Sequence, residues 1–307
     1  MSEPSRVGAV CGFAVLLTEV LSYHLGLALF VAAVAAMVFR LRLSAAVLAG
    51  LGLVLAGPAL LSFARAAPEL PVAPASCFTV LTCNTLFMQA DLDVVESIVR
   101  EERPDVVIFQ EVWADRAEEI TRRFAADYPN SVAPSSSRWG CVVLSRAPFV
   151  GDVGAIPGPS VWPIDQPTVI VDYEGRRVEV VGVHLPSPMQ LERSAAAPAM
   201  AVAVAEWVGA RGVGPGAPDA IVLAGDFNAP ITTGRMAPLR EAGLAEAQAT
   251  AGRGRGATWP DRTPLRFFPG TRLDQIAFTD GLRCVESRVM GSTGSDHRPT
   301  LARFVWK

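Results

Sequence analysis

From residue 7 to residue 64 the chain is almost wholly apolar, broken mainly by Glu19, Tyr23, His24, Arg40 and Arg42. No other stretch limits the possible folds so strongly, because a segment this long and apolar must be covered by lipid or by other protein. A helix needs ~20 apolar residues to cross a bilayer. Ser44 to Phe63 meets that length as one helix. Val7 to Phe39 exceeds one upright helix and is either one long bent span or two short spans with a turn near Ser22-Tyr23-His24. A cleaved signal peptide would have a single short apolar core, whereas here a second full-length run follows a basic break. The segment "ARAAPELPVAPAS" suits a cleavage region and a Pro/Ala-rich linker equally. The sequence therefore predicts residues 1–66 as a membrane anchor of two or three helices, 67–76 as a linker and 77–307 as a folded domain.

Basic residues flanking spans stay on the cytoplasmic side. Arg40 and Arg42 lie in the connection "FRLRLS", which puts that connection inside and everything after residue 66 outside the cytoplasm. Arg65, on the supposed outer side, runs against the rule. Residues 1–66 hold Arg6, Arg40, Arg42 and Arg65 against Glu3 and Glu19. Of the 27 Lys+Arg and 30 Asp+Glu in the chain, 23 and 28 thus belong to the remainder, net −5. Nucleic-acid binding relies on cationic surface to release phosphate counterions, so an acidic domain is a poor general nucleic-acid binder, although a local basic groove survives such an average. Five cysteines do not make a disulfide framework. Cys11 lies in the apolar run, and Cys77, Cys83, Cys141 and Cys284 fall in or near predicted strands without metal-site spacing. They are expected to be buried free thiols, with one bridge open to an extracytoplasmic domain.

From residue 77 short apolar strands alternate with helical patterns. Strands are expected at "CFTVLTCN", "PDVVIFQEV", "GCVVLS", "PTVIVDY", "RVEVVGVHL", "IVLAG", "RLDQIAFTD", "LRCVESRV" and "TLARFVW". Helices are expected at "DLDVVESIVREER", with Asp91 as N-cap, at "ADRAEEITRRFAADY" and from Gln190 to Arg211. Interleaving of this kind belongs to an α/β or α+β sandwich.

Polar residues cluster where these strands end. Asn84 closes the first strand, Glu111 follows "VVIFQ", His184 ends "VVGV", and Asp226 and Asn228 follow "IVLAG". Asp274 sits in "RLDQIAF", and Asp296-His297 precede the last strand. In open α/β sheets, sites collect at strand ends. Each residue also has a plainer role. Asn84 suits a turn, Glu111 a cap or surface position, His184 a satisfied core histidine, and Asp226 with Asn228 an Asx-turn. Asp274 suits an ion pair with Arg272, and Asp296-His297 a cap. Six strand ends of this type are hard to attribute to turns alone. Of three histidines in the chain, two lie in this set.

In order and spacing, "LTCNTL", "PDVVIFQEVW", "GCVVLSRAPF", "VVGVHLPSP", "VLAGDFNAP", "RLDQIAF" and "GSDHRPTLARF" resemble the motifs of the endonuclease/exonuclease/phosphatase superfamily, the fold of pancreatic deoxyribonuclease. The resemblance covers roughly residues 77 to 306. With N-terminal spans added, it looks like the bacterial membrane-anchored branch that includes glycopeptide-resistance-associated proteins. The resemblance implies a four-layer α/β sandwich, two packed mixed β-sheets flanked by helices, preceded by transmembrane helices. It implies a Mg²⁺ cofactor, with Mn²⁺ as substitute, held by Glu111 with Asn84 and Asp296 in contact directly or through water. Mg²⁺ is a hard cation that takes carboxylate, amide oxygen and water, and it withdraws charge from a phosphoryl oxygen. Asp226 is implied to orient or deprotonate the attacking water and Asn228 to hold a phosphate oxygen. His297 is implied to bond phosphate or act as acid/base, with Asp274 fixing its tautomer and favouring its cation. His184 is implied to bind substrate and to donate to the transition state or protonate the leaving oxygen. "LSRAPF" matches a structural signature, with Arg146 as a packing or ion-pair residue.

The expected function is a membrane-anchored, divalent-metal-dependent phosphoester hydrolase of the bacterial cell membrane, with its catalytic domain extracytoplasmic. Its expected partners are the lipid bilayer and a lipid phosphate, lipid pyrophosphate or small phosphoester. The alternative is a nuclease or a sphingomyelinase-like phosphodiesterase; the negative domain charge argues against nucleic acid. A binding module on a degenerate hydrolase fold is the non-enzymatic reading. The inositol-polyphosphate phosphatase patterns are absent, since the chain has "LAGDFNAP" and "GTRLDQI" in their place. "TWPDRTPLRFFPGTR", with Trp259, Phe267 and Phe268, suits an apolar groove for a lipid tail or ordinary loop packing.

Overall fold

The computed structural model describes residues 21–62, 76–133, 139–160, 162–187, 196–262 and 270–307. Two helices come first, α1 (Ser22–Val38) and α2 (Arg42–Ser62). They pack against each other through small residues: a Cβ on Gly26 would lie 2.8 Å from Cβ of Ala56, so only glycine lets the two backbones approach this closely. Helix α1 starts at Ser22, where the sequence offered a turn; Val7 to Val20, Cys11 and Arg65 lie outside the described residues. Among the described residues no helix is long and apolar enough to cross a membrane. Helix α1 has 17 residues, short of the ~20 a span needs, and the side chains of α2 are described without a break only as far as Gly57. The guanidinium of Arg255 lies 3.7 Å over the Tyr23 ring and joins the start of α1 to the domain.

The domain has two six-stranded mixed sheets packed face to face. The first sheet contains β1 (Phe78–Asn84), β2 (Val106–Val112), β3 (Asn130–Val132), β4 (Gly140–Ser145), β11 (Leu282–Val289) and β12 (Thr300–Trp306), in the order β11-β12-β1-β2-β4-β3. The second contains β5 (Gly154–Ile156), β6 (Gln166–Tyr173), β7 (Arg176–His184), β8 (Ala220–Asp226), β9 (Ala245–Glu246) and β10 (Asp274–Phe278), in the order β5-β6-β7-β8-β10-β9. Each sheet centres on one parallel pair, β1–β2 or β7–β8, with antiparallel strands on either side. Helices α3 (Leu92–Glu102) and α4 (Ala114–Phe124) cover the outer face of the first sheet, and α5 (Ala196–Arg211) covers the second. Short helices α6 (Ala237–Glu241) and α7 (Ala247–Ala251) complete the domain. This is the expected sandwich of packed sheets flanked by helices.

Side chains alternate across a strand, and the alternation here is regular. Phe78, Val80, Val178, Val180, Ala220, Val222, Ala224, Ile276 and Phe278 face the core between the sheets. Leu81, Cys83, Val107 and Phe109 face α3 and α4, while Val181, Val183, Ile221 and Leu223 face α5. Asp91 caps α3 as expected, its side chain accepting from the backbone N–H groups of Asp93 and Val94. The short edge strands β3, β5 and β9 were not expected; two or three residues are too few to show a period. Cys77, Cys83, Cys141 and Cys284 are buried and unbridged. Arg146 is exposed; its guanidinium donates to the carbonyl of Arg103 at 3.5 Å and its backbone N–H to the carbonyl of Asp105 at 3.0 Å.

Candidate active site

The alternation that builds the inter-sheet core also builds the site. Carried one step past the last apolar residue, the inward-facing positions become Asn84 on β1, His184 on β7, Asp226 on β8 and, at its start, Asp274 on β10. In the second sheet the pairing sets three of these side by side, with His184 opposite Asp226 on one side and Asp274 opposite Asp226 on the other. Glu111 breaks the pattern. Its parity is that of Val107 and Phe109, which would send it toward α3 and α4. Between Phe109 and Val112 the pairing with β4 slips, two residues of β2 opposing one of β4, and Glu111 takes φ 57°. The bulge re-aims its side chain toward the sheet interface. Asn228, at φ 52°, is a second site residue in the left-handed region. Strain of this kind, roughly 1–3 kcal/mol per residue, persists where the surroundings fix it and collects at functional sites. Gly225 allows the close β7–β8 approach beside Asp226, since a Cβ there would lie 1.8 Å from the Val183 carbonyl oxygen.

Asp226 is the centre of the arrangement. Its Oδ2 accepts from the amide nitrogens of Asn84 and Asn228, each at 3.1 Å, and its Oδ1 accepts from the Asn228 backbone N–H at 2.8 Å. Nε2 of His184 lies 4.0 Å and Nε2 of His297 lies 3.9 Å from the same Oδ2. Asn84 donates equally to Oε1 of Glu111, at 3.1 Å, so one amide bridges the carboxylates of the two sheets. Its own oxygen accepts from the Leu86 backbone N–H at 2.9 Å. Glu111 Oε1 stands 3.8 Å from Nε2 of His184. The Nδ1 of His184 shares a hydrogen bond of 2.8 Å with the Trp139 carbonyl. His297 arrives on the segment before β12, and its Nδ1 bonds Oδ2 of Asp274 at 2.8 Å. Thr258 Oγ1 accepts from the Leu273 and Asp274 N–H groups, fixing that strand end. The ion pair weighed between Asp274 and Arg272 does not form; Arg272 pairs with Glu246 at 2.8 Å. Asp296 stands beside this group, its Oδ2 accepting from the Trp259 indole N–H at 3.1 Å. Both amide hydrogens of Asn228 are engaged, by Asp226 and by the Leu185 carbonyl.

Burial pushes the Glu111 carboxyl above its ordinary range; His184 and Asn84 pull it back only in part. Burial likewise raises Asp274, opposed by His297. For His297 burial alone would lower the imidazole, but Asp274 and Asp226 outweigh it and hold it up at about 10. The carboxylate offers both a counter-charge and an acceptor to the cation, so the pair is read as His297 cation and Asp274 anion.

A divalent cation fits these residues. Oε2 of Glu111, Oδ1 of Asp274 and Oδ1 of Asp296 are buried with no hydrogen-bond partner, and buried carboxylate oxygens are costly unless paired or metal-bound. Ligand atoms of Glu111, His184 and Asp226 all lie within 4.8 Å of one another, as do those of Asp226, Asp274 and His297. Oxygen donors with imidazole suit a hard to borderline divalent ion.

Residues 81–297 match the model of the Endonuclease/Exonuclease/phosphatase family. The chain belongs to this family. Members of the family are metal-dependent hydrolases of phosphoester bonds. No curated relative matches the sequence. Among solved structures, the family protein from Beutenbergia cavernae is 24% identical with TM-score 0.59, covering 75% of this chain and 72% of its own. D. rerio TDP2 complexed with a single-strand DNA product is 16% identical with TM-score 0.63, covering 75% and 99%. The family protein from Leptotrichia buccalis is 18% identical with TM-score 0.58, covering 75% and 100%. At these identities the likeness is one of fold.

The structure thus gathers Asn84, Glu111, His184, Asp226, Asn228, Asp274 and His297 at one end of the sandwich, with Asp296 at its margin. Phe267 and Phe268 lie outside the described residues. Sequence reading did not single out Thr258, whose Oγ1 accepts from the Asp274 N–H, or Trp139, whose carbonyl bonds Nδ1 of His184, nor Gln166, whose side-chain oxygen accepts from the His184 N–H at 2.5 Å. A Gln opening an apolar strand was the one available signal.

Proposed function

We propose that this chain is a membrane-anchored, divalent-metal-dependent phosphoester hydrolase acting on a lipid phosphate or pyrophosphate at the outer membrane face. The metal, Mg²⁺ by preference, would be held by Glu111 and Asp226 with Asp296 at the margin, and when bound supplies charge withdrawal from a phosphoryl oxygen. Asn84 holds the Glu111 and Asp226 carboxylates in register. Asp226 accepts the proton of the attacking water, Oδ2 being the group both histidines face. His297, kept cationic by Asp274, supplies a fixed positive charge and a hydrogen-bond donor to a phosphate oxygen. His184, with its Nδ1 occupied by the Trp139 carbonyl, presents Nε2 to the leaving oxygen. Asn228 exchanges one of its amide contacts for a phosphate oxygen.

The observation that carries the lipid reading is the outer surface of the α1–α2 pair. Val31, Val34, Met37, Val38, Phe39, Leu43, Val54 and Leu61 are all more than half exposed, and an apolar surface of that extent calls for lipid or a partner. Arg40 and Arg42 at its connection favour the cytoplasmic side for that end and the extracytoplasmic side for the domain. A tethered domain meets lipid headgroups at high effective concentration, and the net charge of −5 beyond residue 66 weighs against nucleic acid. The second reading, a nuclease, is favoured by the fold neighbour that carries a single-strand DNA product. The test is hydrolysis by the full chain in detergent with Mg²⁺, read as phosphate release from polyprenyl pyrophosphate and phosphatidate, phosphocholine release from sphingomyelin, and strand cleavage of single- and double-stranded DNA. Turnover of the lipid phosphates is expected; DNA cleavage without lipid turnover would reverse the assignment.

A further inference from the structure

Resting on that reading of function, we propose that Phe87, Trp113 and Trp139 form an aromatic ledge that receives the hydrocarbon chain of the phosphorylated lipid beside Glu111 and His184. The rings form a continuous series leading out of the catalytic pocket. The buried His184 ring lies 6.0 Å from Trp162 and 5.9 Å from Trp139. Trp139 lies 4.8 Å from Phe87, and Phe87 lies 6.4 Å from Trp113. Exposure rises along the same path. Trp162 is buried, Trp139 and Phe87 are half-buried, and Trp113 is 37% exposed.

The backbone beneath the ledge is built to hold it. Leu86, Phe87 and Met88 are three consecutive non-glycine residues in the left-handed region, with φ of 47°, 54° and 67°. Each such residue costs roughly 1–2 kcal/mol, so the run persists only because its surroundings fix it. The Leu86 N–H donates to Asn84 Oδ1 at 2.9 Å, the Met88 N–H to Thr85 Oγ1 at 3.3 Å, and the Gln89 N–H to the Thr85 carbonyl at 2.9 Å. The loop that projects Phe87 is therefore tied to the same Asn84 that bridges Glu111 and Asp226. Trp113 sits two residues past Glu111, at the N-cap of α4. Trp139 is tied to His184 through its carbonyl. The loop of Phe87 and the backbone of Trp139 are thus tied to residues of the site itself, and Trp113 follows Glu111 on the same segment.

Three aromatic side chains offer a broad apolar contact at low conformational cost. Aromatic faces also stack nucleobases, but that mode works alongside a cationic groove, whereas the chain beyond residue 66 is net negative. The exposed apolar surface of α1 and α2 calls for hydrocarbon in the molecule's own surroundings, and the ledge offers one substrate chain an apolar contact beside the reacting phosphate.

The test compares wild type with Phe87→Ala and Trp113→Ala, in the full chain with Mg²⁺, on long- and short-chain pairs: dioleoyl against dibutyryl phosphatidate, and farnesyl against isopentenyl pyrophosphate. Losing one ring contact should lower kcat/KM on the long-chain probes by about tenfold or more, from the transfer value of a buried aromatic side chain, mainly through KM. The short-chain probes should change by less than about twofold, because their chains do not reach the ledge. Phe87→Leu, which keeps apolar bulk, should recover most of the long-chain rate. Equal losses on long and short probes would mark a structural role and overturn the ledge, as would unchanged kinetics on both. With a single-stranded oligonucleotide as a further probe, a loss confined to its cleavage would replace the ledge with base stacking. Wild-type inactivity on every lipid probe would instead remove the functional reading and the ledge together.

Discussion

His184 and His297 face the same carboxylate oxygen of Asp226, at 4.0 and 3.9 Å, yet they are held by different partners. His297 has a carboxylate on its Nδ1, Asp274 at 2.8 Å. His184 has a neutral carbonyl, Trp139 at 2.8 Å. The first histidine comes on a loop leading into the first sheet and is anchored across to the second. The other ends a strand of the second sheet and faces Glu111 of the first. A shared carboxylate with a charged partner behind one ring and a neutral one behind the other gives one pocket two chemically different imidazoles. Such a division lets one group stay cationic against phosphate while the other exchanges a proton.

Four measurements break or sharpen that difference. Asp226→Ala removes the group both halves share, and phosphate release should fall by at least the upper end of the ~10²–10⁴ range typical of acid–base groups. A loss no larger than that of either histidine variant would show that the halves work independently. His297→Ala should cost about 10³-fold and His184→Ala about 10²-fold in kcat, since only the first removes a fixed charge as well as a donor; reversed magnitudes would exchange the two roles. Metal titration by calorimetry separates the halves in another way. Glu111→Ala should weaken divalent-metal affinity by roughly tenfold or more, while Asp274→Asn leaves it within about twofold. Equal weakening would place the ion at the Asp274–His297 end.

The smallest effect concerns stability against pH in the metal-free chain. Folding raises the His297 pKa from its ordinary value to about 10, so the folded state holds a proton that the unfolded chain releases above pH ~6.5. The stabilisation is complete below that point and is lost as pH rises toward about 10. Denaturation midpoints in EDTA should decline across this window, and His297→Asn should flatten the decline. A wild-type midpoint that rises with pH there would contradict a cationic His297.

Much of the site was legible in advance for a simple reason. β1, β7, β8 and β10 were legible as apolar runs, and Asn84, His184, Asp226 and Asp274 stand at their ends, where the structure shows them continuing the inward-facing phase. A polar residue in phase with a buried core, at the end of its strand, has few places to point except into the same end of the sandwich. The N-cap at Asp91 was legible for an equally local reason. Glu111 was found through its motif, although its phase is wrong for the pocket, and the bulge that corrects the phase is invisible without β4. The aromatic series was not legible. Phe87, Trp113, Trp139 and Trp162 are scattered over seventy-odd positions and share no period, and their contact depends on loops from both sheets.

The sequence by itself determined the longer strands, the family resemblance and the set of polar residues at the strand ends, because apolar runs and end-of-strand chemistry are local properties of the chain. The tertiary structure alone decided that one amide, Asn84, links the carboxylates of two sheets, that two histidines share Asp226, and that each ring has its own partner behind it. Those are distances between segments far apart in the chain, and they are set by sheet pairing and packing rather than by any neighbour in sequence.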